Sequence, residues 1–266
     1  MPKAESIVSA ANPLLKDVRR AIARGGLTRD GLAIAETFHL LEEALRSDCD
    51  VPIVLAAESV QSSAETHVRR LPGVRLAILP DDLFQTVAGT ETTQGVMALV
   101  RPPAWTIEQL FPKNALVVVL DGLQDPGNAG TIVRAAEAFG ATGVLFLKGS
   151  VNPHNPKTLR ASAGSLFRMP YLAAVDVPAA RAALAEHRVP LYAGVPARVG
   201  TRSVNETDLT VPCGLAIGNE AHGVSGELRA SAIDVSIPTV GVESLNAAVA
   251  AGILLYEARR QRAIRS

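Results

Sequence analysis

Apolar residues fall along the chain in short blocks, separated by stretches in which they return every three or four positions. In the first hundred residues this rhythm predicts strands over 31–35, 52–56, 74–79 and 95–100. Between them it predicts helices over 63–70 and 80–87, and one that opens at Thr37, whose hydroxyl can cap it, and runs through Phe38, Leu41, Ala44 and Leu45. A helix rich in basic residues precedes them. From residue 115 the blocks grow longer and more apolar. Residues 115–120 (ALVVVL) form a continuous run ended by Asp121-Gly122, the pattern of a strand buried on both faces. A helix over 128–139, a strand over 143–147 and a strand–helix–strand across 171–195 follow. Strands over 213–217 and 235–237 and a long helix over 243–261 complete the chain. The fold class is α/β: a C-terminal open, mostly parallel sheet with helices on both faces, preceded by a smaller α/β domain.

Arg101-Pro102-Pro103-Ala104-Trp105-Thr106 marks the boundary, because consecutive prolines remove backbone donors and hold their neighbours extended. The expected division is 1–100, a linker over 101–112, and 113–266. Composition adds little to this picture: 48% of residues are hydrophobic and only 4% aromatic, which suits helices on a parallel sheet better than a β-sandwich. Charge is balanced at 26 basic and 26 acidic residues, so net charge points to no polyanion. Its distribution says more. Up to Arg29 the basic residues Lys3, Lys16, Arg19, Arg20, Arg24 and Arg29 face only Glu5 and Asp17. Lys16, Arg19 and Arg20 share a helix face, which is either a phosphate-contacting edge or a solvated surface. Cys49 and Cys213 stand far apart with no partner motif, as reduced thiols of a cytoplasmic protein do. The start, MPKAESIVSAANP, carries no apolar core of the signal-peptide kind, and no apolar run approaches the ~20 residues of a membrane span. No His or Cys stands at metal-ligand spacing, so no metal is expected.

Three loops follow predicted strands, and ligands of open α/β sheets gather at the carboxyl ends of strands. The first runs from Asp121 to Arg134, with a Pro126-Gly127 turn, Asn128 as a helix cap and Arg134 two turns into the helix. Its glycine spacing is neither a dinucleotide fingerprint nor a P-loop, which argues against a dehydrogenase or an NTPase. The second contains Gly218, Glu220, His222 and Gly223; its glycines permit close approach to the main chain, and Glu220 is a lone carboxylate between them. The third runs from Ile237-Pro238 to Ser244-Leu245-Asn246 at the start of the last helix. Capping explains Ser244, but leaves the polar Asn246 unexplained.

Together these segments resemble the SpoU (TrmH-like) family of RNA ribose methyltransferases of the SPOUT class. Asn128, Gly130 and Arg134 match its first motif, Gly218, Glu220 and Gly223 its second, and Ile237, Pro238, Ser244, Leu245 and Asn246 its third. The likeness spans about residues 116–257. Residues 12–47 are similar to a ribosomal L30-type RNA-binding domain, although Ala35-Glu36-Thr37 stands where many relatives carry Glu-Gly.

The resemblance implies a deep trefoil knot, a homodimer, and S-adenosylmethionine held by Ile217, Gly218, Gly223, Ile237 and Leu245. It implies methyl transfer to a ribose 2′-hydroxyl of RNA, with Arg134, Asn128, Glu220, Ser244 and Asn246 as the catalytic set. Arginine keeps its proton in proteins, so Arg134 is better suited to orienting the ribose and stabilising an alkoxide than to acting as a base. Asn155, Lys157 and Arg160, in a polar loop with Ser162 and Ser165, are either RNA contacts or cap and surface. The small residues Ala247, Ala248, Ala250, Ala251 and Gly252 fit either a dimer contact or the core of one chain. A two-domain layout favours large-subunit ribosomal RNA over transfer RNA. A catalytically silent RNA-binding relative and a Rossmann oxidoreductase are the competing classes; the first is opposed by the intact motif residues, the second by the missing fingerprint.

Overall fold

The computed structural model describes residues 4–69, 71, 73–198 and 200–264. Two compact units divide the chain, one running up to Ala104 and including His154–Arg168, the other made of Trp105–Pro153 and the residues from Met169 on.

The first unit opens with β1 (Ala4–Ser6), α1 (Pro13–Arg24), β2 (Ala33–Glu36), α2 (Phe38–Arg46) and β3 (Ile53–Ala57). It continues with α3 (Gln61–Val68), β4 (Arg75–Leu79), α4 (Asp81–Gln85) and β5 (Val96–Val100). Its strands lie in the order β1-β4-β3-β5-β2, parallel across β1, β4 and β3 and antiparallel from β3 to β5 and β5 to β2. Asn12 caps α1 by accepting from Leu14 N, and Pro13 supplies the fixed φ of a first helical residue. Leu15, Val18 and Ala21 point from α1 into a core with Leu55, Phe84 and Met97. Thr37 caps α2 as expected, accepting from Leu40 N. α3 begins two residues before the expected helix; of the predicted 63–70 stretch, Arg70 lies outside the described residues, as does Lys3. α4 is shorter than predicted at both ends, with Pro80 before it as its N-cap residue and Thr86 after it as its C-cap residue.

The second unit begins with α5 (Ile107–Leu110), β6 (Leu116–Asp121), α6 (Pro126–Ala138) and β7 (Gly143–Leu147). After α7 (Pro156–Ser162), which belongs to the first unit, come β8 (Tyr171–Val175), α8 (Val177–Glu186), β9 (Leu191–Gly194) and β10 (Arg202–Ser203). The chain ends in β11 (Cys213–Gly218), α9 (Gly226–Arg229), β12 (Ala232–Ser236) and α10 (Ala247–Ala263). Among the described residues these strands form one seven-stranded parallel sheet, ordered β10-β12-β9-β11-β6-β7-β8. Every residue of β6 is buried, as its unbroken apolar run requires. Val117, Val119, Leu145 and Ala216 pack against Leu110, Ala180, Leu184 and Leu228 of α5, α8 and α9. α6 and α10 pack on each other, and on β7 and β11 respectively.

One detail of the sheet positions the site. β11 stays paired with β6 as far as Gly218 opposite Asp121, but its pairing with β9 stops at Ala216 opposite Ala193. β9 runs on against β12, with Gly194 opposite Val235. The strands β9 and β11 therefore part at their carboxyl ends.

α7 joins the first unit through charge. Glu36 at the end of β2 is 3% exposed; its carboxylate accepts from Gly89 N at 2.6 Å and from the Arg160 guanidinium. Glu43 of α2, 8% exposed, pairs with Arg168 at 2.6 Å and Arg46 at 2.9 Å. Burial pushes the Glu43 carboxyl up, but hydrogen bonds and charge from these arginines outweigh it and hold it below the ordinary carboxylate value. Asn155 caps α7 by accepting from Lys157 N, Arg160 is an ion-pair partner, and Ser162 and Ser165 are buried rather than lining a polar loop. Arg160→Ala leaves the Glu36 carboxylate buried without its counter-ion and is expected to destabilise the first unit by about 3 kcal/mol. Urea unfolding measures this, and Arg160→Ala combined with Glu36→Gln should recover more than half of the loss.

Candidate functional site

The site begins with the way α6 starts. Asp125, not Asn128, caps the helix: its carboxylate accepts from Asn128 N at 2.6 Å, and Pro126 takes the first helical position. The expected cap is thus displaced three residues upstream, which frees the Asn128 side chain. Asn128 Nδ2 donates to Glu220 Oε1 at 3.1 Å, and Asn128 Oδ1 accepts from Asn246 Nδ2 at 3.1 Å. One asparagine therefore joins all three loops. The backbone N–H groups of Gln124 and Asp125 also point at the Glu220 carboxylate, at 3.4 Å each. Burial raises the affinity of Glu220 for a proton. Its own backbone N–H, Asn128, Gln124 and Asp125 more than offset this and hold the carboxyl below its ordinary value.

The loop after β11 closes on itself. Asn219 and Gly223 exchange backbone hydrogen bonds of 3.0 and 2.8 Å, and Gly223 takes φ +70°. A Cβ on Gly218 would stand 2.0 Å from the Gly223 carbonyl carbon and 2.1 Å from Val224 N, so only glycine fits there. Asn219, which sequence reasoning passed over, fixes this loop. Its Oδ1 accepts from Ala221 N and His222 N, while its Nδ2 donates to Gly122 O at 2.9 Å. Asp121, 7% exposed, accepts from Ser225 N at 2.7 Å and anchors the far side. Gln124 adds a side-chain bond to Gly149 O. The available signals were modest: a carboxylate ending an apolar strand at Asp121, and an amide after a glycine at Asn219. His222 is exposed, with Nδ1 3.2 Å from Asn219 Oδ1.

In the third loop, α10 starts at Ala247 rather than Glu243. Asn246 is its cap, accepting from Ala248 N and Val249 N, and so answers the question its polarity raised. Ser244 is not a cap: it is exposed and has no hydrogen bond among the described residues. Ile237 and Leu245 are half-buried, and Val240 and Val242 stand 100% and 55% exposed between them.

Of the predicted catalytic set, the structure brings Asn128, Glu220 and Asn246 into one hydrogen-bonded chain. Arg134 stands apart from that chain. It lies six residues beyond Asn128 on α6, roughly 120° around the helix, exposed and with no hydrogen bond or ion pair among the described residues. Ile217 is buried and Gly218 half-buried where β11 has lost β9, so their main chain has no strand neighbour on that side. This arrangement offers a ligand backbone groups and apolar surface at a sheet's carboxyl edge.

Because the folded Glu220 carboxyl is held low, its stabilisation is fully present above the unfolded value of about 4.3 and is lost as pH falls through the folded value. Glu220→Gln should therefore lower the melting temperature most near neutral pH, and the difference from the parent chain should close under acid. Thermal melts taken between neutral pH and strong acid check this; a difference independent of pH would contradict the assignment.

Comparison with known proteins gives these features a family. The model of the SpoU rRNA Methylase family matches residues 115–256, and that of the MRM3-like substrate binding domain matches residues 12–98. A tRNA/rRNA methyltransferase of Synechocystis, named as uncharacterized, is 34% identical over 97% of this chain and 94% of its own. RlmP of Bacillus subtilis, a 23S rRNA (guanosine(2553)-2′-O)-methyltransferase, is 32% identical over 96% of this chain and 99% of its own. The crystal structure of the SpoU methyltransferase AviRb from Streptomyces viridochromogenes in complex with AdoMet superimposes with a TM-score of 0.84. It is 29% identical and covers 95% of this chain and 100% of that one. With the three loops joined at Asn128 and both family models matched in order, this chain belongs to the SpoU rRNA Methylase family.

Proposed function

We propose that the protein transfers a methyl group from S-adenosylmethionine to a ribose 2′-hydroxyl of large-subunit ribosomal RNA. The observation that carries this reading is the Asn128 bridge, which draws Glu220 and Asn246 together at the carboxyl edge of the sheet. Family membership and the named reaction of the Bacillus relative support it.

The residues fit the cofactor. The main chain of Ile217 and Gly218, released from β9, supplies donors and acceptors, and Gly223 closes the loop beside them. Half-buried Ile237 and Leu245 supply apolar walls, and the exposed Val240 and Val242 lie in the loop that connects them. When bound, S-adenosylmethionine supplies an electrophilic methyl group on its sulfonium. Arg134 remains charged; it orients the 2′-oxygen and stabilises negative charge there, while the hydroxyl proton leaves to an RNA phosphate oxygen. Asn128, Glu220 and Asn246 fix the three loops that receive the ribose, and Ser244 stands exposed in the third loop to meet it.

The finer architecture follows the same reading. The C-terminal region forms a trefoil knot, a reading supported by the SpoU family match over residues 115–256. The first unit is an RNA-binding domain of ribosomal L30 type, supported by the substrate-binding family match. The protein acts in the cytoplasm as a homodimer. Val249, Ile253 and Tyr256, exposed at helical spacing along α10, supply an apolar stripe for an isologous contact.

Arg134→Ala should lower kcat for methylation of 23S rRNA by about 100-fold or more, while leaving the Kd for S-adenosylmethionine within about twofold. Transfer of labelled methyl groups to 23S rRNA, with transfer RNA as the comparison, and calorimetric titration of the cofactor test both halves. No transfer by the parent chain to either RNA would overturn the reading. Ile253→Glu should convert a dimer to monomer in light scattering, and an unchanged mass would remove α10 from the contact.

A further inference from the structure

The basic residues near the start of the chain do not form the edge that their spacing suggests. Arg19 turns inward and spends its guanidinium on Ala10 O at 3.0 Å, Thr86 O at 3.3 Å and Thr86 Oγ1 at 3.1 Å. That makes Arg19 a brace between α1 and the end of α4. Arg20 and Arg24, one helical turn apart, face a different way. They line a cleft of about 540 Å³ whose other wall is the turn carrying Leu27, Thr28 and Arg29.

The cleft is built for an anion. Three arginines meet a single carboxylate, Asp17, so the lining keeps a net positive charge of two. Asp17 accepts from Arg29 N at 2.9 Å, which fixes the turn. Its carboxylate is 3.8 Å from both Arg20 Nη1 and Arg29 Nε, too long for hydrogen bonds, so these guanidinium donors stay free. The Arg20 and Arg29 side chains are 40% and 73% exposed, and Arg24 has no ion pair among the described residues. Gly25 and Gly26 N–H groups occupy the carbonyls of Ile22 and Ala21, which lessens the negative potential that the end of a helix presents. Thr28, 8% exposed, accepts from Leu32 N and keeps its hydroxyl proton for donation. Leu27, 37% exposed, adds an apolar lip.

We propose that this cleft binds the sugar–phosphate backbone of the RNA substrate, Arg20, Arg24 and Arg29 taking phosphate oxygens while Leu27 lies against a ribose. Planar guanidinium forks match phosphate geometry, and an open cleft admits a continuing chain. The polar groups of the lining are mostly guanidinium donors, which suit phosphate oxygens, and contacts of that kind position RNA without selecting sequence. The proposal rests on the reading of RNA as substrate, and the test separates the two.

The full chain is titrated with 23S rRNA at several salt concentrations, and methyl transfer is followed alongside. Arg24→Gln and Arg29→Gln should each weaken binding about fivefold near 0.1 M salt and lower the salt slope by about one, with cofactor Kd and melting temperature unchanged. Asp17→Asn keeps an acceptor for Arg29 N but removes the opposing charge, and should tighten binding about twofold. A damaged fold would not produce that gain. Arginine variants that bind with the parent affinity and slope, while the parent chain methylates 23S rRNA, would overturn the cleft and leave the enzymatic reading standing. A parent chain that neither binds nor methylates 23S rRNA would overturn both.

Discussion

The carboxylate of Glu220 is the point on which the site turns. It sits at the start of α6, where backbone N–H groups have no partner within the helix and the helix dipole is positive. By receiving Gln124 N, Asp125 N and Asn128 Nδ2 it fastens the loop after β11 to the loop after β6. The third loop then hangs on the same group at one remove, since the amide that Glu220 orients presents its oxygen to Asn246. An uncharged group in that place would accept fewer and weaker bonds. Asn246 is committed in turn, because its own oxygen caps α10. The start of one helix is thereby coupled to the start of another through two side chains.

A second constraint is steric. The loop that carries Glu220 reaches α6 only because it folds back tightly, and Gly218 leaves room for the Gly223–Val224 peptide where any side chain would collide. Asn219 holds this fold down onto the end of β6 through Gly122. The parting of β9 from β11 starts just before that turn. A sheet that stayed paired to its edge would have used up the main-chain groups of Ile217 and Gly218 on the side away from β6, where β6 already takes the other side. The divergence leaves those groups for a ligand, as at other open α/β sheets whose strands part at their carboxyl ends.

The larger strands were legible because burial on both faces leaves an unmistakable apolar run, as in β6. β1 and β10 were not, being three and two residues long and each paired to a single neighbour. Helix starts moved because capping and bridging draw on the same polar residues. Asp125 and Asn128 both look like caps, and only the tertiary partner Glu220 shows which one bridges. In the same way Asn246, and not Ser244, caps the last helix while also reaching Asn128. The residue types of the site could be read from the chain, but Asn219 and Gln124, which act through backbone carbonyls, carried no such label. Nor does anything local tell that α7 packs with the first unit, since Glu36 and Glu43, the ion-pair partners of Arg160 on α7 and of Arg168 just beyond it, lie more than a hundred residues upstream.

Arg134 differs from the arginines that the fold has committed. Arg160, Arg168, Arg229 and Arg260 each meet a carboxylate, and Arg262 is spent on carbonyls. An arginine so committed is structural, because a substrate would have to break the pair before using its donors. Arg134 has no such bond to give up among the described residues, and its fork remains available for two oxygens of a ribose or phosphate at once. The same availability supports the role proposed for it. A group that keeps its proton contributes by presenting charge where an alkoxide forms, and that contribution is largest when no carboxylate already neutralises it. The negative charge of this site has instead been gathered at Glu220, on the bridge at the start of α6, where it organises the loops without quenching the cation.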